Sequence, residues 1–209
     1  MRILISRSTD GIVREVGEET YRQHLGILIT PALGSTPRRA IEVGGIWAVD
    51  NGCFTGFEKD AFIQMLKSLR AYPGCKFVVA PDVVANATAT LTRFNMWEPV
   101  LHYMGFPVAF VAQDGLENMP IPWERFETLF IGGSTHWKLS HHAAAIAQKA
   151  KARGKWLHMG RVNTNVRIDI ARSIGCDSVD GTGYARYSKS ELPPAIRTLK
   201  QSFTYSLWR

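Results

Sequence analysis

Short apolar runs in this chain end on residues able to do chemistry: Asp50, Asp82, Gln113 with Asp114, Gly132-Gly133, Met159-Gly160, and Asp177 with Asp180. Carboxylates can transfer protons or attack carbon. Glycines let backbone come close to a ligand. Each carboxylate taken singly is also an ordinary helix cap or turn former. Capping does not account for Gln113 and Gly132-Gly133 at matching places, so the set reads as one site assembled by the fold.

The elements that must position these residues follow a rhythm of apolar run, polar or glycine-containing turn, and helical stretch. The runs are Arg2–Ser6, Leu25–Thr30, Ile46–Asp50, Phe77–Asp82, Val108–Asp114, Leu129–Gly133, Trp156–Gly160 and Asp177–Gly181. Most lack polar alternation, as strands buried on both faces do. Helices are expected over Glu58–Ala71, over Ala87–Tyr103 with Pro99 splitting or kinking it, over Ser140–Arg153 ending at Gly154, and over Asn165–Ile174 ending at Gly175. Strands alternating with helices imply parallel pairing and right-handed crossovers. Eight of them predict a single (β/α)8 TIM-type barrel over residues 1–209, least regular in its first two units, where Asp10–His24 is a short connection. An open doubly wound sheet is the alternative. In a barrel the run ends converge on one rim, where βα loops build the active site.

The chain has 209 residues, 45% hydrophobic and 21% charged, enough for one well-buried core. No apolar stretch is long enough to span a bilayer, and the N-terminus reads as a first strand and not as a signal peptide. Cys53, Cys75 and Cys176 form no disulfide or zinc framework, which points to a reducing cytoplasm. His136, His141 and His142 have no metal-site spacing, and Cys53 has no evident partner base, so neither a metal nor a thiol nucleophile is expected. The formal charge of +7 favours a polyanionic partner. Its basic residues, among them Arg14, Arg22, Arg38, Arg39, Lys149, Lys151, Arg153 and Lys155, are dispersed, as on a folded basic face.

From Trp47 to Arg186 these segments, in order, resemble the tRNA-guanine transglycosylase superfamily, including its relatives that insert 7-deazaguanines into DNA. Asp50-Asn51-Gly52-Cys53-Phe54 looks like that family's Asp-Ser-Gly-Gly-Phe. Ala80-Pro81-Asp82 falls where its base-recognising aspartate lies, and Val111-Ala112-Gln113-Asp114-Gly115 is similar to Val-Gln-Gly-Gly. Phe130-Ile131-Gly132-Gly133 is similar to Ile-Gly-Gly, and Trp156-Leu157-His158-Met159-Gly160 to Tyr-Leu-Met-Gly. Gly175-Cys176-Asp177-Ser178-Val179-Asp180 lies where the family reads Gly-Val-Asp-Met-Phe-Asp. The chain departs from the pattern in Gly181-Thr182-Gly183-Tyr184, where the family has Pro-Thr-Arg, and in Asp114, where it has Gly. It also lacks the three Cys and one His of the tRNA enzymes' C-terminal zinc extension.

The resemblance implies exchange of guanine in a nucleic acid for a 7-deazaguanine such as preQ0 or preQ1, with DNA favoured over tRNA as acceptor and a phage or mobile element as a fitting source. It makes Asp180 the nucleophile and Asp50 the acid and base. Asp82, Gln113, Gly132, Gly133, Met159 and Gly160 would bind the base, with Asp82 on its donor edge, Gln113 and the Gly133 N–H at O6, and Met159 across the ring. Lys138, Arg161, Arg186 and Lys189 would hold phosphates, and Trp137 and Tyr184 would stack on an extruded base. No cofactor is implied, and family members commonly form homodimers. Trp97 and Trp123 read as core or loop anchors, and Phe203 and Trp208 as closing the barrel bottom or an oligomer contact. An N-glycosidase that passes the sugar to water, or a barrel that binds a nucleobase without turnover, would use the same pocket. A barrel lyase or isomerase would instead require a metal or a Schiff-base lysine, and no lysine ends an apolar run.

Overall fold

The computed structural model describes residues 1–201, so Phe203 and Trp208 lie outside the described residues. Eight parallel strands close into a barrel in the order β1 to β8, which settles the choice against an open sheet. The chain begins with β1 (Arg2–Ile5), α1 (Thr9–Val16), α2 (Glu18–His24), β2 (Leu25–Ile29), α3 (Arg38–Glu42) and β3 (Ile46–Val49). It continues through α4 (Lys59–Leu69), β4 (Cys75–Val79), α5 (Ala87–Tyr103), β5 (Val108–Ala112) and β6 (Thr128–Ile131). The last part holds α6 (Thr135–Lys138), α7 (His141–Ala152), β7 (Trp156–Met159), α8 (Asn165–Ser173), β8 (Ser178–Asp180), α9 (Thr182–Arg186) and α10 (Ser188–Lys200). Closure comes from β8 pairing with β1, with Ser178 opposite Arg2 and Asp180 opposite Leu4.

Strand periodicity sorts the apolar residues into two cores. Leu4, Leu28, Ala48, Phe77, Val79, Ala109 and Val111 fill the barrel. Their neighbours, such as Ile3, Ile27, Trp47, Val78, Phe110, Leu157 and Met159, pack outward beneath the helices. Both faces of each strand are therefore buried, which is why the runs lack polar alternation.

All eight expected strands are present. The departures have local causes. Asp10–His24 is two helices parted at Gly17, whose φ of +82° suits glycine and breaks the helical path. Helix α5 runs unbroken through Pro99, which costs a helical hydrogen bond one turn from the end without splitting the helix. Strand β4 starts at Cys75, ahead of Phe77, with Cys75 paired to Trp47 before the register against β3 shifts. Helix α10 carries Pro193 and Pro194 in its second turn, which hid it in the sequence. Side-chain caps fix the helices that frame the site: Asn86 accepts from Ala89 N–H, Ser140 from Ala143 N–H and Thr164 from Arg167 N–H.

Candidate active site

The strand ends Asp50, Asp82, Gln113, Gly132, Gly160 and Asp180 line one pocket of about 1070 Å³ at the C-terminal rim, and Arg161 and Arg186 border it. Two glycines are there for space. A Cβ on Gly132 would lie 2.7 Å from Val111 Cγ1 and 2.9 Å from Gln113 Nε2. One on Gly160 would lie 2.7 Å from Phe130 Cε1 and 3.3 Å from Asp180 Oδ2.

One wall is a locked polar network. Gln113 Oε1 accepts from Ala85 N–H and Gly133 N–H, each at 2.8 Å, so its Nε2 must face Asp82, where it donates to Oδ2 at 2.6 Å. Asn51 donates through Nδ2 to Asp82 Oδ1 at 2.8 Å and to the Ala80 carbonyl at 2.9 Å, while its own Oδ1 accepts from Cys53 N–H. Burial pushes the Asp82 carboxyl above its ordinary pKa, and the donors from Asn51 and Gln113 work against that rise. Gln113 keeps one N–H, and Asp82 keeps lone pairs, for a ligand.

Asp50 and Asp180 face each other's charge across the same cavity. Asp50 accepts from Asn51 N–H at 2.9 Å through Oδ1. Burial first, then the charges of Asp180 and Asp82, push its carboxyl up to about 7. Asp180 accepts from His158 Nε2 at 3.0 Å and from Arg161 N–H at 3.1 Å. Over the mouth, the Arg161 guanidinium stacks 4.7 Å from the exposed Phe54 ring and donates to the Gly133 carbonyl. Burial pushes the Cys53 thiol up to about 12, which keeps it out of the thiolate form at neutral pH.

Several residues expected at the site lie elsewhere. Met159 is fully buried on the outer face of β7, because strand parity gives the inner face to His158 and Gly160. Lys138 is 2% exposed and donates its Nζ to the Gly160 carbonyl at 2.7 Å, so it buttresses the β7 end and offers nothing to a phosphate. Gly133 lies behind the pocket wall, its N–H spent on Gln113. Lys189 is exposed on α10, away from the pocket lining. Trp137 is buried with its indole N–H on Glu117, and Tyr184 is 2% exposed, so neither presents a free ring face. Asp177 sits ahead of β8, ion-paired with Lys151 at 2.7 Å. Asp114 holds Ser134, accepting from its N–H and hydroxyl.

The sequence reading missed His158, Phe54 and Asn51 as site residues. His158 had a signal, since it stands two residues before Gly160 and so shares the inner face. Asn51 had none, because its role depends on a loop bringing it under Asp82.

Fold and site together define a class: a parallel (β/α)8 barrel with a carboxylate-rich pocket on its C-terminal rim. No protein-family model matches the chain, and no curated protein matches it. Among solved structures it is similar to one described as native KDPGal, with a TM-score of 0.55 and 13% identity, over 95% of this chain and 93% of that one. That likeness shows the barrel alone. No described residue lining the pocket is a lysine. Among the described residues no group of three or more His, Cys, Asp or Glu side chains is arranged to hold a metal ion, and no helix is long and apolar enough to cross a membrane.

Proposed function

We propose that this chain is a base-exchange transglycosylase that replaces guanine in a nucleic acid, with DNA the favoured acceptor, by a 7-deazaguanine such as preQ0. The observation that carries this reading is the Gln113–Asp82 pair beside two further carboxylates. The locked amide presents an N–H donor next to a carboxylate acceptor, the complement of a ring edge with a carbonyl beside N–H groups. Guanine and 7-deazaguanine share that edge, so one pocket serves both the leaving and the entering base. Adenine reverses it.

Asp180 attacks C1′ of the nucleotide, and the C1′–N9 bonding pair leaves with the base, which takes a proton from Asp50. The entering base then gives its N9 proton to Asp50, and its nitrogen lone pair displaces Asp180 from C1′. Two inversions retain the sugar configuration, as in retaining glycosidases. A carboxyl with a pKa of about 7 suits Asp50 for both proton transfers. The Phe54 ring supplies a stacking face, and Arg161 and Arg186 stand where the phosphates of an extruded nucleotide would pass.

Nucleoside mass analysis of DNA and, separately, tRNA incubated with the chain and preQ0 tests this, beside Asp180→Ala. A deazaguanine nucleoside in one polymer, absent with the variant, supports base exchange and names the acceptor. Loss of guanine without incorporation replaces the reading by an N-glycosidase. No change in either polymer overturns it and directs attention to ligand binding without turnover.

A further inference from the structure

Among the described residues no lysine or arginine side chain forms an ion pair with Asp180. Its Oδ2 meets His158 Nε2 at 3.0 Å, His158 Nδ1 meets Ser178 Oγ at 2.8 Å, and Ser178 Oγ accepts from Trp156 Nε1 at 2.9 Å. All three partners come from the inner faces of β7 and β8. His158 and Ser178 are wholly buried, and the imidazole lies against the rings of Phe77 and Phe130, with centroids 5.2 and 4.6 Å away.

The direction of this chain is fixed at its far end. An indole N–H only donates, so it occupies Ser178 as acceptor. The Ser178 hydroxyl then has one proton to give, and His158 Nδ1 is the acceptor it meets. Nδ1 is therefore bare and the proton sits on Nε2, aimed at Asp180. A proton on Nδ1 would leave the buried Ser178 hydroxyl proton without a partner, which is costly. These are the residue types of a hydrolase triad run backwards. The hydroxyl is sealed in the barrel and the carboxylate faces the pocket, so Ser178 is no nucleophile.

We infer that His158 is a positioning residue: its imidazole, protonated on Nε2, holds the Asp180 carboxylate in attacking orientation, with Ser178 and Trp156 fixing the tautomer from behind. The inference rests on Asp180 being the nucleophile of the proposed reaction. His158 gains and loses no proton in either step, since that traffic runs between the base and Asp50. Its donor meets a charged oxygen before attack and a weaker ester acceptor afterwards. It thereby favours release of the sugar to the entering base as well as orientation for attack.

The tautomer is read first, from the imidazole ¹⁵N shifts of the unliganded full chain. Protonated Nε2 with bare Nδ1 is expected, and the opposite tautomer or an imidazolium overturns the relay. His158→Ala and His158→Gln are then compared in preQ0 incorporation. The alanine variant is expected to lower kcat by roughly 10²-fold with KM for preQ0 nearly unchanged, because base recognition lies on the other side of the barrel. The glutamine variant restores an N–H near Nε2 and is expected to recover much of the loss. Wild-type kcat in the alanine variant, a loss confined to KM, or a glutamine variant no better than alanine overturns the role. A wild-type chain that incorporates no base overturns the reaction, and the role with it. The tautomer measurement still stands by itself, so the two failures are told apart.

Discussion

The backbone N–H of Gly133 donates to Gln113 Oε1 at 2.8 Å, and Ala85 N–H donates to the same oxygen at the same distance. Two main-chain donors from separate loops thus decide which way the amide faces, and with it what the pocket offers a ligand. An unrestrained glutamine could turn over and accept either edge of a purine. This one cannot without orphaning two N–H groups, each a penalty of about 1–3 kcal/mol.

Gln113→Glu keeps the shape and the acceptor for those two N–H groups but replaces the donor beside Asp82 by a second charge. Affinity for preQ0 is expected to fall by roughly 10²-fold or more, with the thermal midpoint little changed at low pH. Equilibrium binding of preQ0 to both proteins checks this.

Asp50 carries a pH signature. Its carboxyl is raised from 3.8 to about 7 in the fold, so between those values the folded chain holds a proton that the unfolded chain releases. The resulting stability is fully present below the lower value and is lost as pH rises through the upper one. Asp50→Asn is therefore expected to raise the melting temperature by a few degrees at pH 8 and not at pH 4, read by calorimetry. In single turnover of the proposed reaction, guanine release would need the acid and should slow above about pH 7, while incorporation would need the carboxylate and should slow below it.

Phe54 is exposed, with one ring face on Arg161. Phe54→Ala is expected to weaken binding of a short single-stranded oligonucleotide by about 1–3 kcal/mol while leaving stability nearly unchanged. Phe54→Trp should retain most of the affinity. Fluorescence anisotropy separates the three proteins.

The cations divide by burial. Arg186→Ala is expected to reduce the salt dependence of oligonucleotide binding by about one unit of slope, whereas Lys138→Met should leave that slope unaltered. Lys138 is sealed against the Gly160 carbonyl, and burial lowers its amine to about 8. Salt titrations of the two variants give the comparison.

Gly160→Ala tests packing against Asp180, the proposed nucleophile. The added methyl would press on Phe130 and crowd Asp180 Oδ2. A destabilisation of about 1–3 kcal/mol is expected, with a fall in kcat larger than stability alone explains, measured by denaturant melts and by exchange rates at low temperature.

The barrel was legible because its strands are buried on both faces, so each is a short, continuous apolar run ending in a polar residue. The rim position of Asp50, Asp82, Gln113, Gly132, Gly160 and Asp180 followed from the same reading. Met159 was misplaced because a motif compared by residue type carries no parity, and one step along a strand exchanges pocket for outer core. Lys138 was misplaced because a lysine just past a strand end reads as a solvated loop cation, while the short helix α6 turns it inward. The Trp156–Ser178–His158 chain joins two consecutive strands across an intervening helix, and only the register of β7 against β8, with His158 opposite Ser178, brings it together.

The seam of the barrel has a kinetic meaning. Asp180 pairs across it with Leu4 of the first strand, and its imidazole donor comes from the strand on its other side. In the proposed reaction the wall around Asp82 and Gln113 would have no attacking group until β8, the last strand, docks against β1. A nascent or partly opened chain would therefore recognise without reacting. On the proposed chemistry reactivity would report completed folding, and local opening at this seam would silence Asp180 before it disturbed the wall around Gln113.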